Sequence, residues 1–277
     1  MKQLIVVISA ILIVLSANGQ SSKDRTRDIG IFGGTAYYIG ELNRTHYGGV
    51  LKAGGGGFYR QNLNKRWAFN FSLSYFEISA FDSNSNDPWT ANRNLHFKTP
   101  ILEASSVAEL NFFPYKVGSR SEWFTPYLFL GLAYYNINPQ AEFNGFWYEL
   151  QPLRTEGQGT SFNSSTPYKL NGLSIPYGFG IKASLTKRIS VNLSYGMRSA
   201  SSDYLDDVSS HYADPNVLIQ EVGTLSQTLA DRSENQLASN NTNVQRGDPT
   251  NNDFYAFTTF AISIKIDRKQ NGCWKGH

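Results

Sequence analysis

The feature that most constrains this chain is a strict alternation of aromatic or aliphatic residues with small or polar ones, sustained over long segments. From Arg66 onward, Trp67, Phe69, Phe71, Leu73 and Tyr75 hold one parity, while Ala68, Asn70, Ser72 and Ser74 hold the other. A period of two places these sets on opposite faces of a β-strand. The pattern returns at Leu173, Ile175, Tyr177, Phe179, Ile181, Ala183 and Leu185, against Ser174, Pro176, Gly178, Gly180, Lys182, Ser184 and Thr186. After the turn Thr186-Lys187-Arg188 it resumes with Ile189, Val191, Leu193, Tyr195 and Met197 against Ser190, Asn192, Ser194, Gly196 and Arg198. Pro176 lacks an amide donor, so a bulge or weak pairing is expected beside it.

Five less regular segments complete a set of about eight strands. Residues 28–40 and 49–62 are glycine-rich, and residues 95–113 place Glu103, Glu109 and Asn111 on one parity. Residues 124–137 are apolar on both parities, which leaves their facing open. Residues 253–267 align Phe254, Phe260, Ile262, Ile264 and Ile266. The connections alternate in length: 63–66, 114–122 and 186–188 are short, whereas 41–48, 80–94, 138–171 and 199–252 are mostly long and rich in Asn, Ser, Asp and Gly. Long loops at every second connection are the habit of outer-membrane barrels, with short periplasmic turns and long external loops. The expected fold is therefore all-β, a closed antiparallel transmembrane β-barrel of about eight strands. Closure is required because lipid offers no partner to an unpaired backbone edge.

Composition agrees with this reading. Aromatic residues make up 14% of the chain and charged residues only 17%. Mean hydropathy is −0.36, and beyond the first residues no apolar run approaches the roughly 20 residues of a spanning helix. Lys2, the apolar run Leu4–Leu15 and the small residues Ser16-Ala17-Asn18-Gly19 form a secretory leader, expected to occupy residues 1–19 and to end after Gly19. Residues 20–277 then form the barrel domain, with large external loops at 138–171 and 199–252 and a short periplasmic tail at 268–277. No cysteine stands directly after the apolar run, so a lipoprotein is not expected, and the single Cys273 excludes an internal disulfide framework; any pairing would be with another molecule. The net charge of +3 is small and dispersed, so nucleic acid is not an expected partner.

A barrel this narrow fills its interior with side chains. Lys52, Arg60, Glu103, Glu109, Lys182 and Arg198 fall on lumen parity and are expected to form a charge-paired polar network. Lys65, Arg66, Lys116, Arg120, Lys187 and Arg188 lie on the short turns, where they can meet lipid phosphates or an acidic partner. Asp203, Asp206, Asp207 and Asp214 cluster on the longest external loop and are candidates for a hard cation, though their spacing is not that of an EF-hand; turn-forming Asx roles compete with that reading. His46, His96, His211 and His277 are the histidines available to a lipid-modifying hydrolase, which needs a histidine paired with a serine and an acid. No Walker loop, dinucleotide fingerprint or metalloprotease helix is present, and Gly54–Gly57 lacks the Lys-Ser/Thr of a phosphate loop. That run is expected to ease the coiling of a narrow sheet. No catalytic residue, cofactor or resident metal is assigned.

Several short stretches resemble one family. They are Gly33-Gly34-Thr35-Ala36-Tyr37-Tyr38-Ile39-Gly40-Glu41-Leu42, Phe58-Tyr59-Arg60-Gln61-Asn62-Leu63-Asn64, Arg93-Asn94-Leu95-His96-Phe97 and Asp203-Tyr204-Leu205-Asp206-Asp207-Val208-Ser209 with Tyr212. Gly247-Asp248-Pro249, Asp253-Phe254-Tyr255 and the near-terminal Cys273 complete the series. Together they resemble the PorG-like outer-membrane barrels of Bacteroidetes type IX secretion and gliding motility. The insert 216–246, rich in Gln, Asn and Ser, departs most from the pattern. The resemblance implies a structural, non-catalytic component that sits in outer-membrane lipid and touches periplasmic secretion-ring proteins through its short turns and tail. A surface adhesin or ligand-binding barrel is the second expectation, and a lipid-modifying enzyme the third.

Overall fold

The computed structural model describes residues 25–43, 50–233 and 241–266. The leader, the tail with Cys273, and His46 and His277 lie outside the described residues. The described residues form ten strands: β1 (Thr26–Ile39), β2 (Lys52–Asn62), β3 (Trp67–Phe81), β4 (His96–Asn111), β5 (Phe124–Ile137), β6 (Gln140–Phe143), β7 (Phe146–Glu149), β8 (Asn171–Ser184), β9 (Ile189–Ala200) and β10 (Phe254–Ile266). Hydrogen-bonded neighbours run β3-β2-β1-β10-β9-β8-β5-β4, and β4 pairs back with β3. Every pairing is antiparallel, so eight strands close on themselves and leave no edge. The small β6–β7 hairpin hangs from β4 through Lys98↔Gln140. No helix among the described residues is long and apolar enough to cross a membrane; the wall does this with strands.

The outward face explains why the alternation was so regular. Ile31, Leu73, Leu102, Leu130, Phe179, Leu193 and Ile262 are all exposed, one on each wall strand except β2. Among the described residues of the wall strands, outward charges are Arg27 at the start of β1 and Glu77 and Lys98 in the long-loop-side parts of β3 and β4. Trp67 and Trp123 stand exposed at the short-turn rim, where indoles settle at a membrane interface. A soluble monomer rarely exposes an apolar patch beyond about 300–600 Å², and a continuous uncharged belt belongs in hydrocarbon.

The inward face has two zones. Toward the long-loop end, Tyr38, Phe76, Ile78, Phe97, Ile101, Tyr135, Ile137, Tyr255 and Phe257 form one buried cluster. Phe76 stacks on Phe257 at 3.7 Å, and Tyr38 meets Phe97 edge-on at 4.9 Å. The lumen is therefore not polar throughout, which is why residues 124–137 looked apolar on both sides. Tyr127, Ala133 and Tyr135 point inward, while Leu128, Leu130 and Tyr134 meet lipid.

Two local features follow from steric limits. Pro176 stays in register with Arg198 of β9, but the β5–β8 ladder breaks off between Leu130↔Tyr177 and Ala133↔Ser174, as its missing amide predicts. In the glycine run, a Cβ on Gly56 would stand 2.1 Å from the Leu73 carbonyl oxygen and 2.8 Å from the Phe32 ring, whereas one on Gly57 would meet nothing closer than 3.7 Å. The bare backbone thus makes room for the lumen rings. Gly56→Ala should destabilise the barrel by about 1–3 kcal/mol and Gly57→Ala far less. Urea unfolding in detergent separates the two.

Candidate functional site

Near the short turns, β2, β4 and β8 bring three charges together inside the wall. Glu109 lies 2.9 Å from the Arg60 guanidinium and also pairs with the Lys182 ammonium, and all three are at most 2% exposed. Asn70 donates to Glu109 at 2.9 Å, and Lys182 donates to Asn111 at 3.0 Å. Asp28, buried on β1, accepts from Asn62 at 2.8 Å. Two cations and two carboxylates balance, which a low-dielectric interior demands. One layer higher, Glu103 accepts from Tyr255 at 2.8 Å and lies 3.5 Å from Arg198, whose guanidinium sits 4.2 Å over the Phe257 ring. Between the layers is a cavity of about 70 Å³ lined by Arg60, Asn70, Glu109, Asn192 and Arg198, room for only a few waters.

Five of the six expected lumen residues are thus in place. Lys52 is the correction. It stands at the open end of β2, 36% exposed, paired with Glu77 at 3.1 Å. The lumen at that height is apolar, so a buried ammonium there would lack any partner.

The short-turn face gathers Lys65, Lys116, Lys187 and Arg188, with Lys265 and Glu122, around a concavity of about 640 Å³. Lys65 pairs with Glu122 at 2.9 Å. Arg66 instead caps the Phe112 carbonyl, and Arg120 is exposed outside the concavity.

The long-loop end is capped. Residues 201–253 carry α2 (Pro215–Glu221) and α3 (Thr224–Ala230), while α1 (Pro88–Arg93) lies between β3 and β4. Leu205 and Val208 drop into the aromatic cluster and are essentially fully buried, and Thr99 donates to the Leu205 carbonyl at 2.6 Å. The stretch Asp203–Ser209 therefore plugs the mouth. Arg246, from the divergent insert, is buried and donates to Glu156 at 3.1 Å, to the Asp207 carbonyl and to Ala230. Arg93 grips Asp82 through two donors at 2.7 and 2.8 Å and reaches the Arg246 carbonyl at 2.7 Å.

Under this plug lies an acidic group that the sequence showed only in part. The Tyr38 hydroxyl is 2.6 Å from Asp206 Oδ2, 2.5 Å from Asp253 Oδ1 and 3.3 Å from Glu41 Oε2, and it accepts from the Glu41 amide at 3.1 Å. One phenolic proton cannot serve two carboxylates at that range, so the second contact needs a proton on a carboxyl. Burial pushes Asp206 and Asp253 well above the usual carboxylate range and raises Glu41 as well. Asp203, raised to about 8 mainly by burial, has no hydrogen bond of regular geometry on either oxygen, although the Ser209 hydroxyl is close enough to lower its pKa. Oxygens of Glu41, Asp203 and Asp253 lie within 4.8 Å of one another.

Of the four aspartates picked from the loop, only Asp203 and Asp206 belong here. Asp207 accepts from Thr155 and from Tyr168 (2.6 Å), beside Arg246. Asp214 caps α2 through the Asn216 amide at 2.8 Å. Glu41 and Asp253 replace them, because β1 and β10 pair up to Ile39↔Phe254 and deliver their flanking residues to one spot. Of the histidines, His96 accepts the Glu142 amide at 3.0 Å and stacks on Phe81, whereas His211 is exposed and bridges to Gln245.

A closed wall with a lipid-facing belt, a filled lumen and a plugged mouth defines a membrane-spanning β-barrel of the bacterial outer membrane. The chain belongs to the DUF6089 family, a domain of unknown function, whose model matches residues 2–226. Among solved structures it is similar to the N-terminal β-barrel domain of Pseudomonas aeruginosa OprF (13% identity, covering 86% of this chain and 97% of that one, TM-score 0.34). It is similar also to Ail, the attachment invasion locus protein of Yersinia pestis (10%, 88% and 98%, 0.38), and to Neisserial surface protein A (9%, 87% and 97%, 0.40). These likenesses add nothing to the topology already read from the strand ladders. No curated protein matches the chain.

Proposed function

We propose that this barrel is a non-catalytic anchoring component of a type IX secretion and gliding complex, holding periplasmic ring proteins at the outer membrane. The observation that carries this reading is the filled lumen: the Arg60–Glu109–Lys182 network and the Tyr38–Phe76–Phe257 cluster occupy successive levels of the interior. Such a wall suits anchoring better than solute passage. The concave basic face of Lys65, Lys116, Lys187 and Arg188 suits an acidic protein partner on the short-turn side. The resemblance to PorG-like barrels is the ground for naming periplasmic secretion-ring proteins as that partner. Crosslinking in native membranes followed by pull-down should recover periplasmic secretion-ring components, and Lys116→Glu/Lys187→Glu should reduce that recovery severalfold. Recovery of none by the wild-type barrel rejects the proposal.

A second reading, a surface-binding barrel, draws on the ordered cap built around Arg246. Deleting residues 216–230 separates the two: loss of surface binding with intact secretion favours the adhesin.

A further inference from the structure

The acidic group at the mouth has no role in the anchoring proposal, and its geometry is unusual. Glu41, Asp203, Asp206 and Asp253 are all buried, between 0% and 7% exposed. They come from three separate parts of the chain: the end of β1, the plug after β9, and the residue that precedes β10. Asp206 is accounted for by Tyr38 and by the Val208 amide at 2.9 Å. Asp253 accepts from Tyr38 and, through Oδ2, from the Leu205 amide at 2.9 Å. Glu41 receives the Asp248 amide at 3.2 Å. Asp203 is the exception. It is 93% buried, both its oxygens lack a regular hydrogen bond, and its carboxylate belongs to the same group as those of Glu41 and Asp253.

A buried carboxylate with only one hydroxyl nearby, in irregular geometry, is destabilising unless something positive meets it. The cations nearby are already committed: Arg93 is forked onto Asp82, and Arg246 serves Glu156 and Asp207. We propose that Glu41, Asp203 and Asp253 bind one Ca²⁺ ion, which fastens the plug to the barrel mouth. The donors are all hard oxygens, the preference of calcium. Two oxygens on one Ca²⁺, each about 2.3–2.6 Å from it, can be no more than about 5 Å apart, and the three carboxylates meet that limit at 4.8 Å. The remaining positions go to water and backbone carbonyls, as in other calcium sites. The ion would lie between Glu41 just after β1, Asp253 just before β10 and Asp203 on the plug, so that one bound cation ties all three.

The test uses the mature chain in detergent, stripped with EGTA, with Tb³⁺ and Ca²⁺ as probes. Tyrosine-sensitised Tb³⁺ luminescence should appear and be displaced by Ca²⁺ in the range of about 10⁻⁵–10⁻³ M. Mg²⁺ should displace it at least about tenfold less well, because it demands a tighter octahedron. Asp203→Asn and Glu41→Gln should each weaken Ca²⁺ binding by at least about tenfold, whereas Asp214→Asn, which touches only the α2 cap, should bind as the wild type does. Ca²⁺ should also slow tryptic cutting within residues 201–253 of the wild type, a readout that does not depend on any variant folding. Absence of Ca²⁺-displaceable luminescence with unchanged trypsin sensitivity overturns the site. Wild-type affinity in a folded Asp203→Asn barrel, judged by its heat-dependent gel mobility, overturns it too, and equal displacement by Mg²⁺ overturns the choice of calcium.

Discussion

Replacing Glu109 with alanine is expected to lower the unfolding free energy of the barrel by about 3–5 kcal/mol. The substitution leaves two cations, Arg60 and Lys182, facing each other inside a sealed wall with their shared carboxylate gone. Neither meets bulk solvent, since each is no more than 2% exposed. The damage comes from the stranded charges rather than from a lost attraction. Adding Lys182→Met to Glu109→Ala should therefore recover a large part of the loss, because one orphaned cation is removed and its methylene packing is kept. Urea titrations of single and double variants in detergent, followed by tryptophan fluorescence, measure the cycle. A single-variant cost below about 1 kcal/mol would mean that water reaches this layer, and a lumen that wet would not be plugged.

The second large effect concerns the opposite face of the wall. Leu130→Arg should cost about 2–4 kcal/mol in lipid vesicles, the penalty for a cation at mid-bilayer depth on a barrel exterior. Leu130 is 60% exposed and lies midway along β5. On the surface of a soluble protein the same exposure would make the change nearly neutral. The arginine therefore reports what surrounds the belt. Measured folding into vesicles that is unaffected by Leu130→Arg would contradict the membrane-spanning assignment directly.

The wall was readable in the sequence because its outward side meets one uniform medium. Lipid asks the same thing of Leu73, Leu130 and Ile262, so the alternation survives wherever the partner set is simple. Inward positions answer to particular neighbours, and there the pattern blurs. Lys52 shares parity with Arg60 but not its height in the barrel, and parity alone carries no height. The cap was the least legible part. Residues 138–171 read as one long loop, yet they contain the β6–β7 hairpin, whose Asn144-Gly145 turn has both residues at positive φ. That dipeptide is a recognised hairpin signal, so this hairpin is encoded locally even within a long connection. Glu41 and Asp253 were hidden for a deeper reason. They are far apart along the chain, and only the register of the first strand against the last brings them together.

That pairing of first strand with last has a consequence for how the molecule is made. In a barrel the junction between the chain's two ends is the only ladder that cannot form until the others have curled around to meet. Tyr38, one rung inside this seam opposite Tyr255, lies 2.5 Å from Asp253, which stands just past the final rung at Ile39↔Phe254. The clasp they form does not exist in any partly rolled sheet. Completion of the cylinder and seating of the lid at its rim are thus one event, and a chain that has failed to zip shut would display an open, unlatched end to whatever surveys the membrane.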